Sequence, residues 1–189
     1  KVLLSGRQLL SLSQAEMEKD LEMRNPLHRK KLSLALRAIE EGKPGAHEQM
    51  DQHQVLRWLD DIGLPQYRDS FAAARIDGLF LDKLTVDDLL QLNITSALHH
   101  ASISRGIQIL RFLNWNLSRL QRKFQRSVVE TEGGAAATVQ LWSHHALSEW
   151  LRSIDLAEFT PSLMCAGIHG GLIVLEPTFT AESLAAVLE

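Results

Sequence analysis

The sequence is poor in the residues that staple a chain. Cys165 is the single cysteine among 189 residues. An intramolecular disulfide is therefore impossible, and a zinc site built on two or more thiolates is excluded. That usage fits a reducing, cytoplasmic compartment. No apolar run reaches the ~20 residues needed to cross a bilayer. The opening Lys1-Val2-Leu3-Leu4-Ser5-Gly6-Arg7 has no long apolar stretch ending in small residues, so no signal peptide is expected. Alternating Val/Ile/Thr runs are scarce, and the best strand candidate, Leu172-Ile173-Val174-Leu175, is isolated.

What is present is enough apolar residue for a core. The chain is 45% hydrophobic and 23% charged, which excludes a disordered tail. Its formal charge of −3 hides an asymmetry. Residues 1–41 carry net +2, 51–111 net −2, 112–135 net +2 and 136–189 net −5. No segment has the basicity of a dedicated nucleic-acid binder.

Apolar residues recur at three and four, the helical spacing. Leu32, Leu36 and Ile39 share a face after Pro26, as Ile103, Ile107 and Leu110 do after Ser102. Thr85-Val86-Asp87-Asp88 and Ser13-Gln14-Ala15-Glu16 both have the form of a capping box. Glu41-Gly42-Lys43-Pro44-Gly45 combines both helix breakers, and residues 131–138 are small and low in complexity. Between them, Leu113, Leu117, Leu120 and Phe124 form an apolar stripe opposite Arg119, Arg122, Lys123 and Arg126. That pattern predicts an amphipathic connector helix packed on a neighbouring unit.

An internal repeat organises the whole. Trp58-Leu59-x-x-Ile62-x-Leu64-x-x-Tyr67 returns as Trp150-Leu151-x-x-Ile154-x-Leu156-x-x-Phe159, at an offset of 92. The same offset carries Ile76-Asp77-Gly78 onto Ile168-His169-Gly170. The second half of the unit also occurs earlier. Gly78, Leu81, Leu84, Thr85, Asp88 and Leu89 match Gly6, Leu9, Leu12, Ser13, Glu16 and Met17. After one inserted residue, His99, Ile103 and Ile107 fall on His28, Leu32 and Leu36. The expected organisation is a second half-copy at 1–41, a linker at 42–50 and a complete copy at 51–112. A connector follows at 113–138, then a front part-copy at 139–189. Copies 1 and 3 are thus expected to be incomplete.

This unit resembles a sterile alpha motif (SAM) domain, a five-helix bundle. The resemblance rests on the W-L-x-x-I-x-L-x-x-[YF] helix, the I-D-G turn, the L-T-x-x-D-L helix start and a last helix opened by H-x-x-x-I. Three tandem copies resemble the liprin family, with liprin-β nearest, then liprin-α and kazrin. The resemblance implies an all-α tandem array without cofactor or enzymatic activity. It implies an intracellular scaffold for receptor-type tyrosine phosphatases, cell–matrix adhesions and synaptic sites. The implied partner is a protein, notably the liprin-α SAM tandem, with self-association as a further outcome.

Other candidates for chemistry give way to structural roles. His99-His100 and His144-His145 cannot chelate through neighbours, because adjacent helical residues diverge by about 100°. Cys165 and His169 lack an orienting third group and an oxyanion hole. Gly167-Ile168-His169-Gly170-Gly171 lacks the Lys-Ser/Thr of a phosphate loop. Trp58 and Trp150 share a repeat position and are expected in or near the core. Trp115 and Trp142 fall outside the repeat and are expected to pack between modules.

The sharpest charged cluster is His28, Arg29, Lys30 and Lys31, at the start of the last helix of copy 1. Two functional readings compete: an RNA site, and a basic helix end docking on the acidic middle of another SAM domain. The acidic candidates are Asp77, Asp82, Asp87 and Asp88 in copy 2, and Glu176 and Glu182 in copy 3. Complementary ends favour head-to-tail protein docking, and the lysines needed to neutralise many phosphates are missing.

Overall fold

A computed structural model describes residues 6–42, 44–125 and 138–188. Among them the regular structure is helical, without strands. Copy 1 supplies α1 (Gly6–Leu10), α2 (Gln14–Asp20) and α3 (Pro26–Glu41). Copy 2 is a bundle of α4 (Gln52–Asp61), α5 (Arg68–Ala73), α6 (Gly78–Asp82), α7 (Val86–Gln91) and α8 (Ala97–Phe112). Copy 3 supplies α9 (His144–Ser153), α10 (Gly170–Leu175) and α11 (Ala181–Leu188). Residues 172–175, the strand candidate, lie inside α10.

Local chemistry sets the helix starts. Thr85 accepts from the Asp88 amide at 3.3 Å, and Asp88 accepts from the Thr85 amide at 2.7 Å. Ser13 and Glu16 close the same box on α2, and Asp51 and Gln54 close one on α4. Each box satisfies two orphan amide donors of a helix's first turn. Asn25 caps α3 ahead of Pro26, whose missing N–H costs nothing at that position.

The copy 2 core gathers Val55, Trp58, Leu59, Phe71, Phe80, Ile94, Ile103 and Leu110. Trp58 is 1% exposed. It lies so close to α8 that a Cβ on Gly106 would sit 2.8 Å from its Cζ2. Trp150 is near the core rather than in it: half-buried, it packs against a smaller core of Trp142, Leu147, Leu151, Leu163, Ile168 and Leu172.

The repeat extends further forward than its sequence pattern reveals. Gly78 N–H donates to Met50 O at 2.8 Å, and Gly170 N–H donates to Trp142 O at 2.9 Å. A Cβ on Gly78 would meet His47 O at 2.1 Å, and one on Gly170 would meet Val139 O at 1.7 Å. All these pairs keep the offset of 92. Trp142 therefore occupies the repeat position of Met50 and packs within copy 3, against Phe124 and Trp150. Trp115 joins the copy 2 core, edge-on to His47 at 5.8 Å. Neither tryptophan is the inter-module wedge expected of it.

The described part of the connector, through residue 125, is not the expected helix. After α8, Asn114 and Trp115 take left-handed φ of 50° and 61°, which no α-helix continues through. A single 3₁₀ turn at Leu117–Arg119 follows, then extended chain. The apolar stripe is covered all the same. Leu113 is buried, Leu117 and Leu120 pack on copy 2, and Phe124 packs on copy 3. Gln121 forms an isolated bridge with Trp142, through Gln121 N–H to Leu141 O at 3.0 Å and Ser143 N–H to Gln121 O at 2.9 Å. Residues 131–137 of the small, low-complexity stretch lie outside the described residues.

Candidate functional site

The basic cluster of copy 1 is engaged inside the chain. The ammonium group of Lys31 pairs with Asp77 at 2.6 Å and also donates to Arg75 O. That of Lys30 pairs with Asp88, donates to Lys83 O at 2.7 Å, and stands 5.2 Å from the Phe80 ring centre. His28 Nε2 donates to Ala73 O at 2.9 Å. Beneath these contacts Leu27 is buried in the copy 2 core. Arg29 turns back to Glu18 at 3.3 Å and to Met23 O at 2.7 Å. On sequence alone these four residues were expected to face a partner. They instead fasten the start of α3 to the middle of copy 2, apart from Arg29, which braces copy 1 itself.

A second junction joins copy 2 to copy 3 by the same elements. Residue for residue, the start of α8 repeats the start of α3 at an offset of 71. Leu98, at the place of Leu27, packs on the copy 3 core. His169, at the place of Asp77, donates from Nε2 to Ser102 O at 3.0 Å, and Ser102 is at the place of Lys31. Gln66 donates to Cys165 O at 2.7 Å, the carbonyl matching Ala73 O. Gly167, matching Arg75, donates its N–H to Gly63 O at 3.1 Å. Both turn positions have left-handed φ, 55° at Arg75 and 73° at Gly167. Glycine relieves both strains at the latter, the left-handed φ and the crowding a Cβ would meet 2.9 Å from Leu64 Cδ2 and 3.0 Å from Ser102 Oγ.

The junctions differ in charge. Junction 1 carries two ion pairs across it. Among the described residues junction 2 carries one, Arg105 to Glu176 at 3.1 Å, at its edge. The centre of junction 2 is neutral. His169 is 3% exposed, and burial depresses its imidazole to about 4. His144, against Gly63, is likewise lowered by burial and by its neighbour His145.

The remaining acidic candidates divide. Burial pushes the Asp82 carboxyl up, but hydrogen bonds from Arg111 and Lys83 prevail and leave it lowered. That cluster braces copy 2 internally. Glu176 is held low by Thr178 first and Arg105 after it. Asp87 and Glu182 each stand two residues after a helix-capping threonine, Thr85 and Thr180, and both are exposed. Glu182 is lowered by its hydrogen bond with Thr180. His99 hydrogen-bonds Tyr67 Oη at 2.7 Å, and His100 reaches Ile94 O at 2.6 Å.

Two anchors escaped sequence reasoning. Leu27 was hidden by the basic residues that follow it and Leu98 by a histidine pair, although their shared repeat position was a signal. Arg122 looked like a solvated face of the connector. It grips Asp61 in a two-pronged pair, both distances 2.7 Å, with the Asp61 side chain 4% exposed.

A five-helix unit with two interdigitating neighbours, each last helix seated on the next copy's middle, defines a tandem of SAM domains. The SAM domain (sterile alpha motif) family matches residues 48–111 and, separately, 139–188. Human liprin-beta-1 is 48% identical over 97% of this chain, and the Caenorhabditis elegans liprin-beta homolog 44% over 98%. Human liprin-alpha-1 is 34% identical over 98% of the chain. The chain belongs to the SAM domain family and is similar to the liprins over nearly its whole length. It spans about a fifth of the length of the curated relatives it matches, 18% of human liprin-beta-1 and 16% of human liprin-alpha-1.

Proposed function

We propose that this chain is a non-catalytic protein-interaction module of liprin-β type, binding SAM-containing partners and foremost a liprin-α SAM tandem. The proposed setting is cytoplasmic, at receptor-type tyrosine phosphatase, adhesion or synaptic assemblies. Copy 1 is proposed to be the second half of a SAM unit, and copy 3 the front part of another.

One observation carries the reading: the chain builds the same junction twice, a last helix on a neighbour's middle. A surface used twice within the chain is suited to a third use between chains. Internal docking already occupies His28, Lys30, Lys31, Asp77, Asp88 and Glu176, so the partner face lies elsewhere. Glu16 occupies the repeat position of Asp88, is exposed, and caps only Ser13. We assign it to receive a basic last helix from the partner, with Asp87 and Glu182 as further exposed acidic positions. Charge there sets orientation and on-rate, and an apolar anchor like Leu27 supplies affinity. The RNA reading loses its basis, because Lys30 and Lys31 already hold carboxylates.

Titration of this chain with a liprin-α SAM tandem, read by calorimetry at two salt concentrations, tests the proposal. Binding that falls at least tenfold with Glu16→Lys and loses part of its salt slope is the expected result. Wild-type chain that does not bind the tandem contradicts the reading.

A further inference from the structure

The two junctions are built alike but charged differently, and that difference gives them different responses to acid. At junction 1, Asp77 and Asp88 are carboxylates already paired with ammonium groups. At junction 2, the matching position is His169, a neutral ring donating to a backbone carbonyl. A second imidazole, His144, lies in the same contact. Its Nδ1 is buried without a hydrogen-bond partner, and a Cβ on Gly63 would stand 2.9 Å away. Burial and the neighbouring His145 disfavour a proton on this ring and prevail over the Ile168 carbonyl, which favours one.

We propose that junction 2 is an acid-released latch: mild acidification frees copy 3 from copy 2, while junction 1 stays closed. Release would uncover the start of α8 and the 165–170 turn of copy 3. Those are the two surfaces by which one SAM unit of this chain seats on another.

The surroundings offer no charge to offset the proton. From α9, His144, His145 and Arg152 face the contact, and Glu149 is committed to the Phe124 amide at 2.7 Å. From α8, Arg105 is held by Glu176, and His99 and His100 are bound within copy 2. From the end of α4, Asp60 is paired with Arg68, and Asp61 with Arg122. Among the described residues no carboxylate is paired with either ring. The sign follows from the direction of the shifts. An open-state imidazole titrates near 6.5, whereas docking depresses His169 to about 4. Docking is therefore at full strength above 6.5 and weakens as pH falls below it. At pH 5.5 the open fraction rises about tenfold from His169 alone, and His144 adds to it in the same direction. Junction 1 has carboxylate–ammonium pairs where junction 2 has the buried ring, and Glu176 at the edge of junction 2 is held below the usual carboxylate range.

The Gly167 amide, donated across the junction to Gly63 O, is a direct probe of opening. Its hydrogen exchange in the intact chain, corrected for intrinsic rate, is measured by NMR at pH 7.5 and 5.5. The expected result is a rise of about tenfold or more in Gly167 opening. Amides in the middle of α9, such as Leu151, and those at the start of α3 keep their protection. In His169→Gln, whose amide can still donate to Ser102 O but cannot titrate, the acid response shrinks to the part left by His144. Unchanged Gly167 exchange, an unchanged response in His169→Gln, or equal loss across α9 would each overturn the latch. Should the variant not fold, the wild-type His169 ring titration decides alone: a midpoint near 6.5 overturns the proposal, and one well below it supports it.

Discussion

His169 reaches the carbonyl of Ser102 at 3.0 Å, from the repeat position where Asp77 instead holds an ammonium group. The exchange of a carboxylate–lysine pair for an imidazole–carbonyl pair leaves the docking geometry in place and alters only the charge. SAM-on-SAM seating in this chain therefore depends first on shape and an apolar anchor, with charge as a variable laid over it.

The apolar anchor should be the dominant energetic element of junction 1. Leu27→Ala removes a side chain 4% exposed within the copy 2 core. A loss of ~2–4 kcal/mol is expected in denaturant unfolding. Loss below about 1 kcal/mol would make the ion pairs the principal contact.

Lys30→Ala leaves Asp88 without its ammonium but still bonded by the Thr85 amide and hydroxyl, both at 2.7 Å. A cost of ~1–3 kcal/mol follows, smaller than for a fully stranded buried charge. Hydrogen exchange should localise the loss to α3, with α4 and α8 protected as before.

Arg122→Ala strands Asp61 with neither prong of its partner. The expected cost is ~3–5 kcal/mol by thermal or denaturant unfolding. Asp61→Asn in the same background should recover part of it, since a neutral amide tolerates burial better. Absence of any recovery would show that the connector is held by its apolar residues alone.

Trp58→Ala should cost ~3–5 kcal/mol by denaturant unfolding. Trp150→Ala should cost roughly half that, because its ring is only half-buried. Equal costs would mean that the two bundles are packed alike, contrary to the structure.

Much of this organisation is legible in the sequence because repeats expose themselves. The offset of 92 locates both first helices and both glycine turns, and an offset of 72 carries the Ser13 capping box onto that of Thr85. What it conceals is context. Trp142 reads as an outsider because its counterpart, Met50, is chemically different, and only the backbone hydrogen bonds to Gly170 and Gly78 reveal the equivalence. The connector reads as a helix because a stripe at three and four can equally be divided between two neighbouring cores by extended chain. Two left-handed residues at 114 and 115 decide it, and neither is a glycine. The basic cluster reads as a docking site, but sequence does not say whether the receiving carboxylates belong to the same chain or another.

That last distinction is the central one, and zero-length carbodiimide crosslinking with mass spectrometry tests it most directly. Equal amounts of isotopically light and heavy chain are mixed before coupling, so that links within and between chains differ in mass. The account predicts amide links from Lys30 to Asp88 and from Lys31 to Asp77, within single chains. Links of which about half are mixed light–heavy, the share expected for pairing between chains, or Lys30 and Lys31 left uncoupled and open to acetylation, would contradict it.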